Sequence, residues 1–209
     1  MEEHCKIILT LQDLESLSGS HHGSLGDDFT DETREIAVSF INLRPSCEIL
    51  ILNPGDIHFN FGKKVSAKFV NAEKMALFVA TLGPEASEII NSFREDPFSY
   101  YAADHLASLY AEALADFVHK KAESIAVKMG MKISNRYSPG YCGWRVSDQK
   151  LLFAAFPGSP CNVKLTEGSL MYPVKSVSGV VAMGRKVSFE PYGCETCSDK
   201  CLNKLIKEI

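Results

Sequence analysis

The stretch NRYSPGYCGW, Asn135 to Trp144, gathers an arginine, a Pro-Gly dipeptide, three aromatic side chains and a cysteine. Arg136 offers a planar fork that matches a carboxylate or a phosphate. Pro139-Gly140 is a turn dipeptide, and Gly140 admits a positive φ or a ligand laid against the backbone. Tyr137, Tyr141 and Trp144 offer faces for an adenine ring or a cation, a contact worth about 0.5–2 kcal/mol. Together these residue types suit a small zwitterion with an aromatic part. The same residues would equally make a structural turn whose rings pack on the preceding helix.

A second group stands at the end of the chain. Cys194, Cys197 and Cys201 have a spacing that suits zinc or part of an iron–sulfur cluster. A closed site needs a fourth ligand. Cys142, inside the arginine loop, is one candidate and Cys161 the other. The competing reading is three reduced surface thiols. His21 and His22 are adjacent, but no third ligand is fixed nearby, so they read as solvated. Asp104, Glu112, Asp116 and Glu123 lie on one long helix at mixed spacing and read as a solvated face. His105 and His119 on that helix read as satisfied or exposed. Dinucleotide and phosphate-binding glycine loops, H-E-x-x-H and G-x-S-x-G are all missing.

The elements that must position these residues follow from periodicity. SGSHHGSLGDDFTD, Ser18 to Asp31, reads as an exposed loop. DETREIAVSFINL places Ile36, Phe40 and Leu43 on one helical face. CEILILN and MALFVATLG read as buried strands, and IHFNF, with Ile57, Phe59 and Phe61 alternating, as a half-buried one. Pro84 opens a helix over about 85–94. The longest helix runs over about 97–129, with Phe98, Tyr101, Ala102, Leu106, Leu109, Ala113, Phe117 and Ile125 on its apolar face, and Gly130 closes it. Tyr100, Tyr101 and Tyr110 read as core. SDQKLLFAAF is a short helix with Ser147 at its N-cap. VKLTE, SVSGVVAMG and KVSFEPY are strand-like. Helices and strands without regular βαβ alternation predict an α+β class.

The totals set bounds. A chain of 209 residues buries about 70% of its unfolded surface and needs no staples. With 45% apolar and 23% charged residues its composition is that of a globular protein. A net charge of -4 lacks the footprint of a nucleic-acid binder. The start MEEHCKIILTLQD does not read as a secretory signal, and no apolar run nears the roughly 18 residues that span a bilayer. The cysteine count of seven shows no disulfide framework. A reduced, cytoplasmic chain with no membrane partner is expected.

RYSPGY resembles the Arg-x-x-Pro-Gly-Tyr motif of the activation domain of cobalamin-dependent methionine synthase. LTEGSLMYPVKSVSG, Leu165 to Gly179, resembles the Leu-Thr-Glu-Ser…Met-x-Pro…Ser-Val-Ser-Gly stretch of that domain, in the same order and spacing. ATLGPEASEIINSF and the YAADHLASLYAEALADFVHKKAE helix are similar to stand-alone members. The likeness runs from Met75 to Met183. It implies a curved α+β domain, with a twisted antiparallel sheet and long flanking helices. Residues 1–70 match poorly and form an N-terminal α/β region with a flexible loop at 18–31. Residues 71–190 form the activation-domain-like core and 191–209 the cysteine tail, all within one structural domain.

The resemblance implies S-adenosylmethionine binding and support for reductive methylation of a cobalamin, with one electron and the ligand's methyl restoring the active cofactor. It accounts for the missing acid/base machinery, since cofactors carry the hard chemistry and the protein positions them. The implied ligand positions are Arg136 on the methionyl carboxylate, the backbone at Ser138 and Gly140, and Tyr141 lining the site. Glu167 either faces the cationic end of the ligand or orients its loop. The implied partners are a cobalamin-binding methionine synthase or other corrinoid protein, acting in trans, and an electron donor. A cluster beside the loop could pass that electron.

Two departures stand out. Val180-Val181 replace a Trp-Tyr that the family often has, removing a ring expected over the ligand. An acidic ligand residue near the amino end has no clear counterpart; Asp27, Asp28 and Asp31 are the nearest. The competing classes are a small redox or metal protein using the tail cysteines, and a docking module for a corrinoid protein.

Overall fold

The computed structural model describes residues 3–17, 31–56 and 58–190. Its centre is one antiparallel sheet of five strands in the order β1-β2-β3-β7-β4. These are β1 (Glu3–Ile8), β2 (Ser46–Leu52), β3 (Lys74–Thr81), β4 (Lys132–Tyr137) and β7 (Ser176–Gly184). A hairpin of β5 (Lys164–Leu165) and β6 (Met171–Tyr172) lies apart from it. The class is α+β.

The three central strands are buried on both faces, which is why they read as continuous apolar runs. Alternate residues go to two cores. Cys47, Ile49 and Ile51, with Ala76, Phe78 and Ala80, face one; Leu50, Leu52, Leu77 and Val79 face the other. Four helices build the first core: α1 (Leu11–Leu17), α2 (Asp31–Ser39), α4 (Pro84–Ser92) and α5 (Pro97–Lys128). The second is covered by α3 (Gly62–Lys68), α6 (Gln149–Ala154) and the loop carrying Trp144. Because β1 and β2 belong to the same sheet as β7, the described residues before β3 share these cores.

Helix α5 carries the site and is fixed at both ends. Asp96 caps it, accepting from the N–H groups of Phe98 and Ser99, and Pro97 occupies the first position. At the far end Met131 N–H returns to Ala126 O and Gly130 N–H to Val127 O, with Gly130 at a φ of 68°. That pairing is a Schellman cap. The buried face overlaps the predicted one: Leu106 and Ala113 are buried, and Ala102, Phe117 and Ile125 pack against the core. Ala103, Ala107, Ala111, Leu114, Val118, Ala122 and Ala126 meet the core. Phe98 and Tyr101 are exposed and Tyr100 is partly so; of the three tyrosines only Tyr110 is core, against Phe40. Small alanines let the helix lie close to the sheet, so the large rings at its start are left outside.

Other expectations change. Residues 58–61 form no strand; Phe59 and Phe61 instead pack on Trp144, and Gly62, at a φ of 73°, turns the chain into α3. Residues 187–190 are irregular, so KVSFEPY is no strand where it is described. Ser147 sits inside a 3-10 turn, Val146–Asp148, that precedes α6, and makes no cap. Strands β1 and β4 escaped the periodicity because both are edge strands with mixed exposure. His21, His22, Asp27, Asp28 and most of the Ser18–Asp31 loop lie outside the described residues. No helix among them is long and apolar enough to cross a membrane.

Glu48 is the one buried carboxylate of β2. It accepts the Cys161 N–H at 2.8 Å and pairs with His4 at 3.0 Å and Lys6 at 3.4 Å. It thereby holds the turn in which Cys161 and Asn162 take φ values of 51° and 58°. Burial acts to raise its pKa, but the hydrogen bonds from Cys161, His4 and Lys6 and the Lys6 charge outweigh that and hold it below 4.5. Glu48→Gln should therefore lose about 1.5–3 kcal/mol at pH 7. A depressed folded pKa contributes stability above the unfolded value and loses it as pH falls through the folded one. The gap between wild type and variant, followed by urea unfolding, should close as the pH drops below 4.5.

Candidate functional site

The site begins with a register shift. β4 pairs with β7 as Lys132↔Gly184 and Ile133↔Met183, then resumes as Arg136↔Val181 and Tyr137↔Val180. One extra residue is taken up between Ile133 and Arg136, a β-bulge. Ser134 stabilises it: its hydroxyl accepts the Ala182 N–H at 2.9 Å and donates to Asn135 O at 2.7 Å. Asn135 Oδ1 accepts the Arg136 N–H at 2.8 Å. Side chains alternate along a strand, so one added residue reverses the face of all that follow. Arg136 consequently joins the α5 side, opposite Val181, and Tyr137 enters the other core.

On that side two carboxylates meet the guanidinium. Nη1 lies 2.6 Å from Asp116 Oδ1 and Nη2 lies 3.2 Å from Glu112 Oε2. Asp104 is also engaged: Lys175 pairs with its carboxylate at 2.9 Å and donates to Ser108, tying the start of β7 to α5. Asp104, Glu112 and Asp116 stay 50%, 59% and 36% exposed, so the face is solvated as expected, and these three acids are ion-pair partners as well. Their i,i+4 spacing, one side of a helix, was the available signal. His119 is half-buried, with Nδ1 unpartnered, and its pKa is lowered by burial and then by the Arg136 charge. His105 stacks on the exposed Tyr101.

Past Tyr137 the chain leaves the sheet and folds on itself. Gly140, at a φ of 95°, donates its N–H to Trp144 O; Tyr141 N–H reaches Ser138 O and Trp144 N–H reaches Tyr141 O. Cys142 and Gly143 also take positive φ. The loop is anchored by Trp144, which is 1% exposed and lies 4.9 Å from the Phe61 ring. Tyr137 is likewise buried, against Phe69. Neither ring is open to a ligand, and neither packs on the long helix. Tyr141 is exposed.

Where β4 peels away, the start of β7 is left uncovered and a cavity of about 370 Å³ opens. Ser138, Pro139 and Tyr141 form one side, Arg136 and Glu112 another, and Ser176, Val177 and Ser178 the floor, with Gln149 and Met171 closing it. The volume lies within the range of small-molecule sites. Of the residues expected from sequence, Arg136, Ser138 and Tyr141 meet here. Gly140 shapes the turn without lining the cavity, and Glu167 is exposed in the turn of the small hairpin, off the lining. Gln149, Met171 and the β7 serines were not singled out, although Met171 to Ser178 lie inside the second motif. Val180 and Val181 are fully buried, one in each core, away from the lining.

Cys142 is half-buried and Cys161 is buried, its thiol aimed at Val79 O and pushed up to about 11 by burial. Cys194, Cys197 and Cys201 lie outside the described residues. Among those described, no cluster of three metal-ligating side chains occurs.

This fold has known counterparts. The model of the vitamin B12-dependent methionine synthase activation domain matches residues 61–201. The chain belongs to that activation-domain family. Its structure is similar to the crystal structure of the MetH reactivation domain bound to AdoHcy, with a TM-score of 0.62 and 14% identity. The superposition covers 91% of this chain and 80% of that one, so the shared fold reaches well into residues 1–70. No curated protein matches the sequence.

Gly179 decides how closely β4 can approach β7. A Cβ there would stand 2.6 Å from Tyr137 O and 2.9 Å from the Phe78 ring. Backbone and a core ring cannot both give way, so Gly179→Ala should lose about 1–3 kcal/mol in a denaturant titration.

Proposed function

We propose that this chain binds S-adenosylmethionine in the cavity beside Arg136. We further propose that it offers the ligand's methyl group for reductive methylation of a cobalamin carried by methionine synthase or a related corrinoid methyltransferase. The observation that carries this reading is the convergence of Arg136, Ser138 and Tyr141 on one cavity in a chain of the activation-domain family.

The charges suit the ligand. A methionyl carboxylate meets the donors of the Arg136 fork that its carboxylate partners leave over. Asp116 holds the fork in place from behind, and Glu112, more than half exposed, is free to turn toward the sulfonium or ammonium. Exposed pairs of that kind rearrange at little cost. Ser138 and Pro139 bring backbone to the ligand, and Tyr141 covers its open side.

The proposed reaction asks no acid, base or nucleophile of the cavity itself. The corrinoid on the partner supplies the nucleophilic metal when it docks. The methyl departs without the S–C electron pair, which stays on sulfur and leaves a neutral thioether. The electron comes from a separate donor. What this chain contributes is position: the sulfonium held with its methyl toward the partner.

Calorimetric titration of S-adenosylmethionine into the protein tests the reading. Wild type should bind, and Arg136→Ala should weaken binding about 10- to 100-fold, the worth of a charge-assisted pair. The sole tryptophan, buried at the base of the loop, reports by fluorescence that the variant keeps the loop folded. A wild type that binds nothing would overturn the reading.

A further inference from the structure

Ser178 presents a buried hydroxyl with no partner. The residue is 1% exposed, and its Oγ makes no hydrogen bond. Its neighbour on the same face of β7, Ser176, is fully engaged, with Thr81 at 2.8 Å and Pro173 O at 2.6 Å. Further along that face stand Val180 and Ala182, both in the core. An apolar residue at 178 would continue the row without penalty, whereas an unpaired buried hydroxyl is unfavourable and needs a reason. Ser178 also lines the cavity.

The cavity is chemically two-sided. Its charges, Arg136 and Glu112, are together on the α5 side. The floor and far end, with Ser178, Gln149, Val177 and Met171, carry none. A neutral surface with an uncommitted hydroxyl can pair with a purine nitrogen or a ribose hydroxyl. It cannot balance a carboxylate or a phosphate. Pairing between Val79 and Ser178 fixes the backbone at this point, and with it the direction of the Ser178 Cα–Cβ bond.

We propose that Ser178 anchors the nucleoside end of the ligand, as the complement of Arg136 at its amino-acid end. This rests on the reading of the cavity as an S-adenosylmethionine site. It assigns a specificity to the floor: a neutral nucleoside is recognised there independently of the charged half.

The test combines S-adenosylmethionine titration with competition by adenosine, on wild type, Ser178→Ala and Arg136→Ala, and with melting of each unliganded protein. Ser178→Ala should weaken both compounds about fivefold to tenfold. Arg136→Ala should weaken S-adenosylmethionine alone. The unliganded Ser178→Ala protein should melt at or above the wild-type temperature, because an unsatisfied buried group has been removed. Unchanged binding in Ser178→Ala, or a failure of adenosine to compete on wild type, would overturn the proposal and leave the S-adenosylmethionine site standing. So would a lowered melting temperature that accounts for the weaker binding. No binding of S-adenosylmethionine by wild type would remove both.

Discussion

One extra residue in β4 governs the site. The bulge between Ile133 and Arg136 reverses the side-chain alternation, so Arg136 rises on the face of α5 while Tyr137 drops into the opposite core. Without it the guanidinium would point to the face of the second core, away from Glu112 and Asp116. The bulge is held by Ser134 and Asn135, whose side chains take backbone groups that the ladder leaves unpaired. A polar pair that looks incidental in the sequence therefore sets the direction of the principal charged group.

The two faces of the sheet divide the labour. On one, α5 lies close on a stripe of alanines and carries Glu112 and Asp116 to within reach of Arg136. On the other, Trp144 sits among Phe59, Phe61 and the second core and pins the loop that follows β4. The loop needs positive φ at Gly140, Cys142 and Gly143 to turn back so soon. Its rings serve as anchors, and its backbone and Tyr141 form the cavity wall. The cavity is the space that opens because β4 must leave the sheet to begin this turn.

Membership of the activation-domain family fits a cavity lined by groups that can hold a ligand. A paired arginine, an exposed glutamate and a neutral floor can orient a ligand with a charged end and a neutral end. The buried Glu48 cluster serves the scaffold alone, fastening the Pro160–Asn162 turn against β2.

By itself the sequence determined the α+β class, the central strands, helices α2, α4, α5 and α6, the Gly130 end of the long helix, and the loop that carries Arg136, Ser138 and Tyr141. Local rules suffice for these: apolar runs make buried strands, a proline and a glycine bound the long helix, and a Pro-Gly dipeptide makes a turn. Tertiary structure decided which groups meet. The pairing of Arg136 with Glu112 and Asp116 spans more than a helical turn of sequence and depends on a bulge no periodicity reveals. The burial of Trp144 and Tyr137 depends on Phe59, Phe61 and Phe69, from a segment whose alternation resembled a strand until Gly62 turned it. The solitary hydroxyl of Ser178 becomes visible only when β4 departs and leaves the edge of β7 open. Side-chain type is written in the chain, but partnership is a property of packing, since it needs residues distant in sequence to be held at hydrogen-bonding distance.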